Sequence, residues 1–232
     1  MRSELVKQFF VESAHVNAHG DDKTSRIHGH SYRIDVVVEG EVSPAAGWVV
    51  DFGDIKKAFR PLYETMDHHS LEGIVDLPDT TLGGVRKWLS GKLRAAVPSL
   101  RDVRVRIMGD CAYRPCVLDA DPWQELPVRV GFSFEAAHHL PMTPEGHKCH
   151  RLHGHSYRVE VAAAQIDPLL ESLHDVYCRL DHRCLNDVPG LENATSEILS
   201  QWIWNRIAPA APNMRAVIVQ ETCTARCAYF GT

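Results

Sequence analysis

The sequence has no apolar run approaching the roughly 20 residues that a membrane helix needs. It has no basic surplus: 25 Lys and Arg stand against 30 Asp and Glu, a formal net charge of -5, which argues against a general nucleic-acid binder. Its seven cysteines include no Cys-x-x-Cys pair, and seven is an odd number. The opening Met1-Arg2-Ser3-Glu4 lacks the apolar core of an export signal. Together these absences predict reduced thiols and a cytoplasmic location rather than a disulfide framework. What remains is ordinary for a globular chain: 44% hydrophobic and 24% charged residues. The 232 residues suffice for one large or two small domains. The 14 histidines are unusual, and several cluster.

One stretch occurs twice. His153-Gly154-His155-Ser156-Tyr157-Arg158 repeats His28-Gly29-His30-Ser31-Tyr32-Arg33. Each runs into an apolar, β-branched segment that reads as a strand. Residues two apart in a strand share a face, so the two histidines of each copy project together. Cys149 precedes the second copy; Thr24 stands at the same place before the first.

The rest of the chain follows the same duplication. Leu5 to His15 reads as a strand, as does Val128 to Phe134, which runs on into Glu135-Ala136-Ala137-His138 to match Glu12 to His15. Further strands are expected over Tyr32 to Val38, Val103 to Ile107 and Ala216 to Val219, with another beginning at Ala112-Tyr113. Ile55, Ala58, Phe59 and Leu62 recur at helical spacing, and so do Val85, Trp88, Leu89 and Leu93 in a helix from about Leu82 to Val97. Ile198, Leu199, Trp202, Ile203 and Ile207 restate that second helix. Arg114 to Pro127, with three prolines, reads as the linker. The expected class is α+β: two tandem domains over 1–113 and 128–232, each an antiparallel sheet with helices on one face. One difference is large. His30 to Asp67 spans 37 positions (67 − 30), but His155 to Asp181 spans only 26 (181 − 155), and Trp48 to Phe52 has no counterpart.

Three histidines per half are candidate metal ligands: His15, His28 and His30, and His138, His153 and His155. A lone histidine is more often structural. The duplication of the whole set, each time with a histidine ending the preceding strand, favours ligation. Three imidazoles and one open position suit catalytic zinc. Cys149 lies in a polar loop beside His147, Lys148 and Arg151, and cationic neighbours are expected to depress its thiol pKa. Asp67-His68 and Asp181-His182 each pair a carboxylate with an imidazole that can relay a proton. Glu221 follows an apolar strand and reads either as a buried anchor for an amidine-like group or as an exposed strand end.

At these residues the chain resembles the 6-pyruvoyltetrahydropterin synthase family. The second half carries Phe134-Glu135-Ala136-Ala137-His138, Pro144-Glu145-Gly146-His147-Lys148-Cys149, Cys-x-x-x-His-Gly-His, Leu180-Asp181-His182, Leu185-Asn186-Asp187, Thr195-Ser196-Glu197 and Glu221-Thr222-Cys223-Thr224. The first half matches over about 5–113, through His15, His28-Gly29-His30 and Asp67-His68-His69. The resemblance implies the tunnelling fold, in which subunits join their sheets into barrels. It implies Zn2+ on the three histidines, Cys149 as a base, an Asp-His pair across a subunit boundary and Glu221 holding the pterin ring. Lys148, Arg151 and Thr195 would also contact the substrate, 7,8-dihydroneopterin triphosphate. The Glu-Gly-His-Lys-Cys loop is similar to the branch that makes carboxytetrahydropterin, acetaldehyde and triphosphate for queuosine. A pyruvoylpterin-forming enzyme and a catalytically dead, zinc-stabilised pterin-binding scaffold are the alternatives.

The two halves depart from the family pattern in complementary ways. Thr24 cannot replace a cysteine base, because an alcohol is far too weak an acid. Aligning the two C-terminal strands sets Ile107 opposite Glu221, with Asp110 out of register. The first half therefore lacks base and anchor, and at most one active site per chain is expected. The family's ring suggests a homo-oligomer in which three chains mimic a hexamer, or a multiple of this. Such a ring favours Asp181-His182 of a neighbouring chain as the pair serving Cys149, with Asp67-His68 as the alternative.

Overall fold

The computed structural model describes residues 1–110, 112–118, 126 and 129–231. The duplication appears as two sheets, each with its own helices and its own apolar core. In the first half, strands β1 (Arg2–His15) and β2 (His28–Glu41) form a long antiparallel pair, in register from Arg2↔Glu41 to His15↔His28. Helix α1 (Phe52–Met66), the short strand β3 (His69–Ser70), helix α2 (Leu82–Arg94) and strand β4 (Leu100–Ile107) complete it, and the strand order is β3-β1-β2-β4. The second half comprises β5 (Cys116–Leu118), β6 (Arg129–His138), β7 (His153–Ala163), α3 (Leu170–Leu180), β8 (Arg183–Cys184), α4 (Ser196–Ile207), β9 (Met214–Gln220) and β10 (Arg226–Tyr229). Its order is β10-β9-β7-β6-β5, with β8 parallel to β6. Both sheets are open, and neither closes into a barrel among the described residues.

Local chemistry accounts for the helices. The Asp51 side chain accepts from the Gly53 amide and starts α1, and Thr81 and Thr195 cap α2 and α4 in the same way. Ile55, Phe59 and Met66 of α1 and Val85, Leu89 and Leu93 of α2 are buried on the first sheet. Leu173, Val176, Tyr177 and Leu180 of α3 cover the second. Burial of these apolar faces, rather than helix propensity, holds such short helices in place.

The structure adjusts three expectations. The strands begin earlier than periodicity suggested, because His28 and His153 pair directly with His15 and His138 across the hairpins. The segment read as a linker starts inside the second sheet: Cys116–Leu118 pairs antiparallel with β6, Leu118 opposite Arg129. Residues 119–125 and 127 of that segment lie outside the described residues. The strand expected from Ala112-Tyr113 forms only at Cys116–Leu118, as β5. The second half is the shorter between its matched elements. It lacks the turn that carries the half-exposed Trp48, and α3 has 11 residues where α1 has 15.

The halves meet where the two histidine hairpins cross. A Cβ placed on Gly29 would sit 2.2 Å from the Cα of Gly154, and the reverse holds for Gly154. Only a residue without a side chain fits either position. Ser31 N donates to Ser156 Oγ and Ser156 N to Ser31 Oγ, both at 3.1 Å, so the contact has approximate two-fold symmetry. Gly29→Ala or Gly154→Ala should therefore destabilise the protein by at least the 1–3 kcal/mol typical of overpacking, about the same for either site. Urea denaturation monitored by circular dichroism checks this; an unchanged midpoint in both variants would contradict the close approach.

Candidate metal centres and their shared boundary

Each hairpin end gathers three imidazoles. Ring centroids of His15, His28 and His30 are 4.4, 5.0 and 4.9 Å apart; those of His138, His153 and His155 are 4.5, 5.1 and 4.9 Å apart. All six side chains are buried. The Nε2 atoms of His15 and His30 are 3.1 Å apart, and so are those of His138 and His153.

The outer nitrogens explain why the inner ones converge. His28 Nδ1 meets Arg26 O at 2.7 Å, His153 Nδ1 meets Arg151 O at 2.8 Å and His138 Nδ1 meets Ala194 O at 3.0 Å. An Nδ1–H that donates outward leaves the Nε2 lone pair facing inward, which is the arrangement of metal-bound histidine. Burial works against protonation of five of the six rings: His15 is pushed down to about 4, His28 to about 2 and His30 to about 3, while His138 and His153 lie well below the ordinary histidine value. The ligand atoms of His15, His28 and His30 all lie within 4.8 Å of one another and fit a cation that takes imidazole ligands; around the second centre the same spacing joins His138, His155 and Glu221, and also His153 and His155 with His68.

Two of the outer nitrogens reach across the boundary between the halves. His30 Nδ1 lies 2.6 Å from Glu135 Oε2, and His155 Nδ1 lies 2.9 Å from Glu12 Oε2. The shifts of these two histidines differ. Burial would lower His155, but Glu12 outweighs it and the ring is raised, with Glu221 and Asp67 adding to the effect. Glu135 is itself pushed up to about 8 by burial, with Asp181 and Glu12 adding to it.

The Asp-His pairs are exchanged in the same way. The His68 ring stacks on His153 at 4.2 Å, and the His182 ring lies over His28 at 4.4 Å. His68 faces His153 ring to ring, with a nitrogen also within 4.8 Å of ligand atoms of His153 and His155, and its Nδ1 is 2.9 Å from Asp67 Oδ2. His182 Nδ1 is likewise 2.9 Å from Asp181 Oδ2. Both histidines have left-handed backbones, with φ of 58° and 53°, unusual for a residue with a side chain. Their amides are held by β1 and β6: His68 N donates to Glu12 O at 2.7 Å and His182 N to Glu135 O at 2.6 Å. Within one chain, then, Asp67-His68 lies at the Cys149 centre. Asp181-His182, the pair favoured from the ring arrangement, lies instead at the centre lacking a thiol. Burial of Asp67 works against ionisation, but His68 and the Glu12 amide outweigh it and hold the carboxyl at about 2.

The remaining predicted residues fall around the second centre. Glu221 Oε1 is 3.4 Å from His138 Nε2 and 3.7 Å from His155 Nε2, and its Oε2 accepts from Ser196 Oγ at 3.0 Å. Glu221 thus faces the inner side of the triad and is not a free strand end. Extending the register of Arg158↔Gln220 by one residue sets Glu221 beside Tyr157, and Tyr32 pairs with Ile107. That supports Ile107 as its counterpart. Lys148 Nζ is 3.5 Å from Asp67 Oδ2, and Arg151 Nε donates to His68 O at 3.0 Å. Both cations therefore hold the borrowed pair. Thr195 is engaged in capping α4. Thr24 is half-buried and its hydroxyl donates to Asp21 Oδ1 at 2.8 Å. The expectation that cationic neighbours lower the Cys149 thiol does not hold here: burial pushes it up, and Glu221 and Asp67 add to that against Lys148 and Arg151.

Three features escaped the sequence reading. Lys23 pairs with Asp181 and donates to Tyr177 Oη at 2.7 Å, just as Lys148 reaches Asp67, whose Oδ2 accepts from Tyr63 Oη at 2.9 Å. Glu12 and Glu135 were seen as a repeated match but given no role. The left-handed histidines leave no mark in composition.

The fold and paired centres define a tandem α+β protein whose two histidine triads share one boundary. The chain belongs to the 6-pyruvoyl tetrahydropterin synthase family, whose model matches residues 4–113 and again 127–232. It is 40% identical over 122 residues to the 6-carboxy-5,6,7,8-tetrahydropterin synthase of Synechocystis, covering 43% of this chain and 88% of that protein. It is 30% identical over 106 residues to the dihydroneopterin monophosphate aldolase of Pyrococcus furiosus, covering 46% and 86%. A solved 6-pyruvoyl tetrahydropterin synthase from Caenorhabditis elegans aligns with 46% of the chain and 89% of its own length, at 23% identity and a TM-score of 0.41. No helix among the described residues is long and apolar enough to cross a membrane.

The two lysines predict unequal stabilities. The Asp181 side chain is 1% exposed and Lys23 34%, whereas Lys148 is 53% exposed. Lys23→Met should cost about 1–3 kcal/mol by leaving a buried carboxylate short of a partner. Lys148→Met should cost less than about 1 kcal/mol, the range of exposed pairs. Paired urea titrations read the difference; equal losses would contradict it.

Proposed function

We propose that the chain is a zinc-dependent 6-carboxy-5,6,7,8-tetrahydropterin synthase that acts on 7,8-dihydroneopterin triphosphate, with its single active centre at His138, His153 and His155. The observation that carries this reading is the convergence, within one chain, of that triad, Cys149, Glu221 and the borrowed Asp67-His68. The relative from Synechocystis that bears this activity in its name supports it.

His138, His153 and His155 would hold Zn2+, which when bound acidifies the hydroxyls of the substrate side chain. Glu221 would accept from the amidine-like edge of the pterin ring. Cys149 would move protons on the substrate side chain. A thiol that burial pushes up needs an adjacent base. His68, oriented by Asp67 through its Nδ1, is the imidazole for that role. Lys148 and Arg151 position the Asp67-His68 pair and present positive charge to the triphosphate. Carboxytetrahydropterin, acetaldehyde and triphosphate would leave. The first centre, with Thr24 and Ile107 where base and anchor would stand, would hold a structural ion. We read the protein as a cytoplasmic enzyme of queuosine biosynthesis and as a homo-oligomer in which three chains reproduce a hexamer of single domains. The sheets' open edges would be joined between chains.

Incubation with 7,8-dihydroneopterin triphosphate tests the reading. Carboxytetrahydropterin and acetaldehyde are expected; pyruvoyltetrahydropterin, or no turnover by protein loaded with zinc, would overturn it. Cys149→Ala should lower kcat by roughly 10²–10⁴-fold, the span of a lost acid–base group, with metal content unchanged. His68→Ala should fall in the same range, and His182→Ala should keep most of the activity. The reverse pattern, in variants that assemble normally, would return the role to Asp181-His182 of another chain.

Zinc content gives an independent check. The metallated protein should carry two ions per chain. His28→Ala should remove one ion and lower the melting temperature while leaving measurable turnover. A single ion per chain in the parent protein would contradict a metal at the first centre.

A further inference from the structure

The geometry points to Glu12, a residue of the half without a catalytic thiol, as a positioning residue for the second-half centre. The inference rests on the reading that His138, His153 and His155 hold a metal.

Three connections of the second centre run to this one residue. Its side chain takes the outer nitrogen of His155 at 2.9 Å. Its backbone N–H donates to Asp67 Oδ1 at 3.1 Å, and its carbonyl accepts from His68 N at 2.7 Å. Glu12 is 8% exposed, and its Oε2 also accepts from Ser31 Oγ at 2.5 Å. The carboxylate is thus fixed before any ligand arrives. Of the three second-half ligands, His138 and His153 are oriented by carbonyls of their own half, Ala194 and Arg151. His155 alone among them is oriented by a charged group, and that group belongs to the other half. A carboxylate on the outer nitrogen fixes the tautomer and raises the basicity of the inner one. The strand pair β1–β2 therefore has a task in the second centre although its own centre lacks base and anchor. Glu135 makes the mirror-image connections to His30, Asp181 and His182.

Glu12→Gln tests the side chain without disturbing the backbone bonds. The variant is made in full-length protein carrying His15→Ala and His28→Ala, so that only the second set reads out. Cobalt(II) is the probe. About 10-fold weaker cobalt binding is expected, with a shifted visible absorption band. In the otherwise unaltered chain, kcat should fall about 10-fold or more with KM little changed. Unchanged cobalt affinity and spectrum would overturn the inference. Failure of the parent double variant to bind cobalt at all would overturn the metal reading beneath it. If Glu12→Gln does not fold, histidine ¹H–¹⁵N correlation spectra of the zinc-loaded wild-type chain decide the matter. His155 should show a protonated, strongly deshielded Nδ1 and a metal-bound Nε2; a His155 without an Nδ1 proton would overturn the inference.

Discussion

The close approach of Gly29 to Gly154 is the constraint on which the structure depends. It sets the distance between the two histidine hairpins, and every exchanged contact follows from that distance. A side chain at either position would separate the hairpins. The bonds of His30 to Glu135 and of His155 to Glu12 span only 2.6 and 2.9 Å. A shift of one ångström would break both, and leave each buried carboxylate short of its imidazole partner, with a serine hydroxyl still donating to it. The glycine of the His-Gly-His motif thus serves the partner half as much as its own.

Fusion places this contact inside a single chain. The first half has kept what the second half borrows, namely Glu12, Asp67 and His68. It has Thr24 and Ile107 at the positions that serve only its own centre. The second half keeps Glu135, Asp181 and His182, although these face a centre without a thiol. Their burial offers a physical reason for retention. Asp181 and Glu135 are enclosed at the boundary, with Lys23, His182 and His30 as partners. Removing one member of such a network leaves an unpaired buried group, which costs more than the network contributes.

The electrostatics of the two centres are unequal although their ring geometries nearly coincide. His30 is pushed down to about 3, whereas Glu12, Glu221 and Asp67 together raise His155. Carboxylates surround both, Glu72, Glu135 and Asp181 at the first and Glu12, Asp67 and Glu221 at the second, and Glu221, with Ile107 at the matching position, is the difference that the sequence shows directly. Burial, with Glu221 and Asp67 of this cluster, holds the Cys149 thiol up. A cationic group or ion at the centre is what such a cluster requires to be stable.

The sequence alone determined the duplication, the α+β class, both histidine triads and the loss of thiol and carboxylate from the first half. These are properties of residue type and of spacing along one strand, where alternation fixes which side chains share a face. It also showed Glu12 and Glu135 as matched positions, but not what they touch. Tertiary structure decided the rest. His155 and Glu12 are 143 residues apart, and His68 and His153 are 85 apart (153 − 68), so no local pattern joins them. The raised Cys149 thiol came from burial and from Asp67, not from the cationic neighbours visible along the chain. Which Asp-His pair reaches which centre depends on how the two hairpins cross. That crossing is set by contact between two glycines, and its geometry exists only once both sheets have folded.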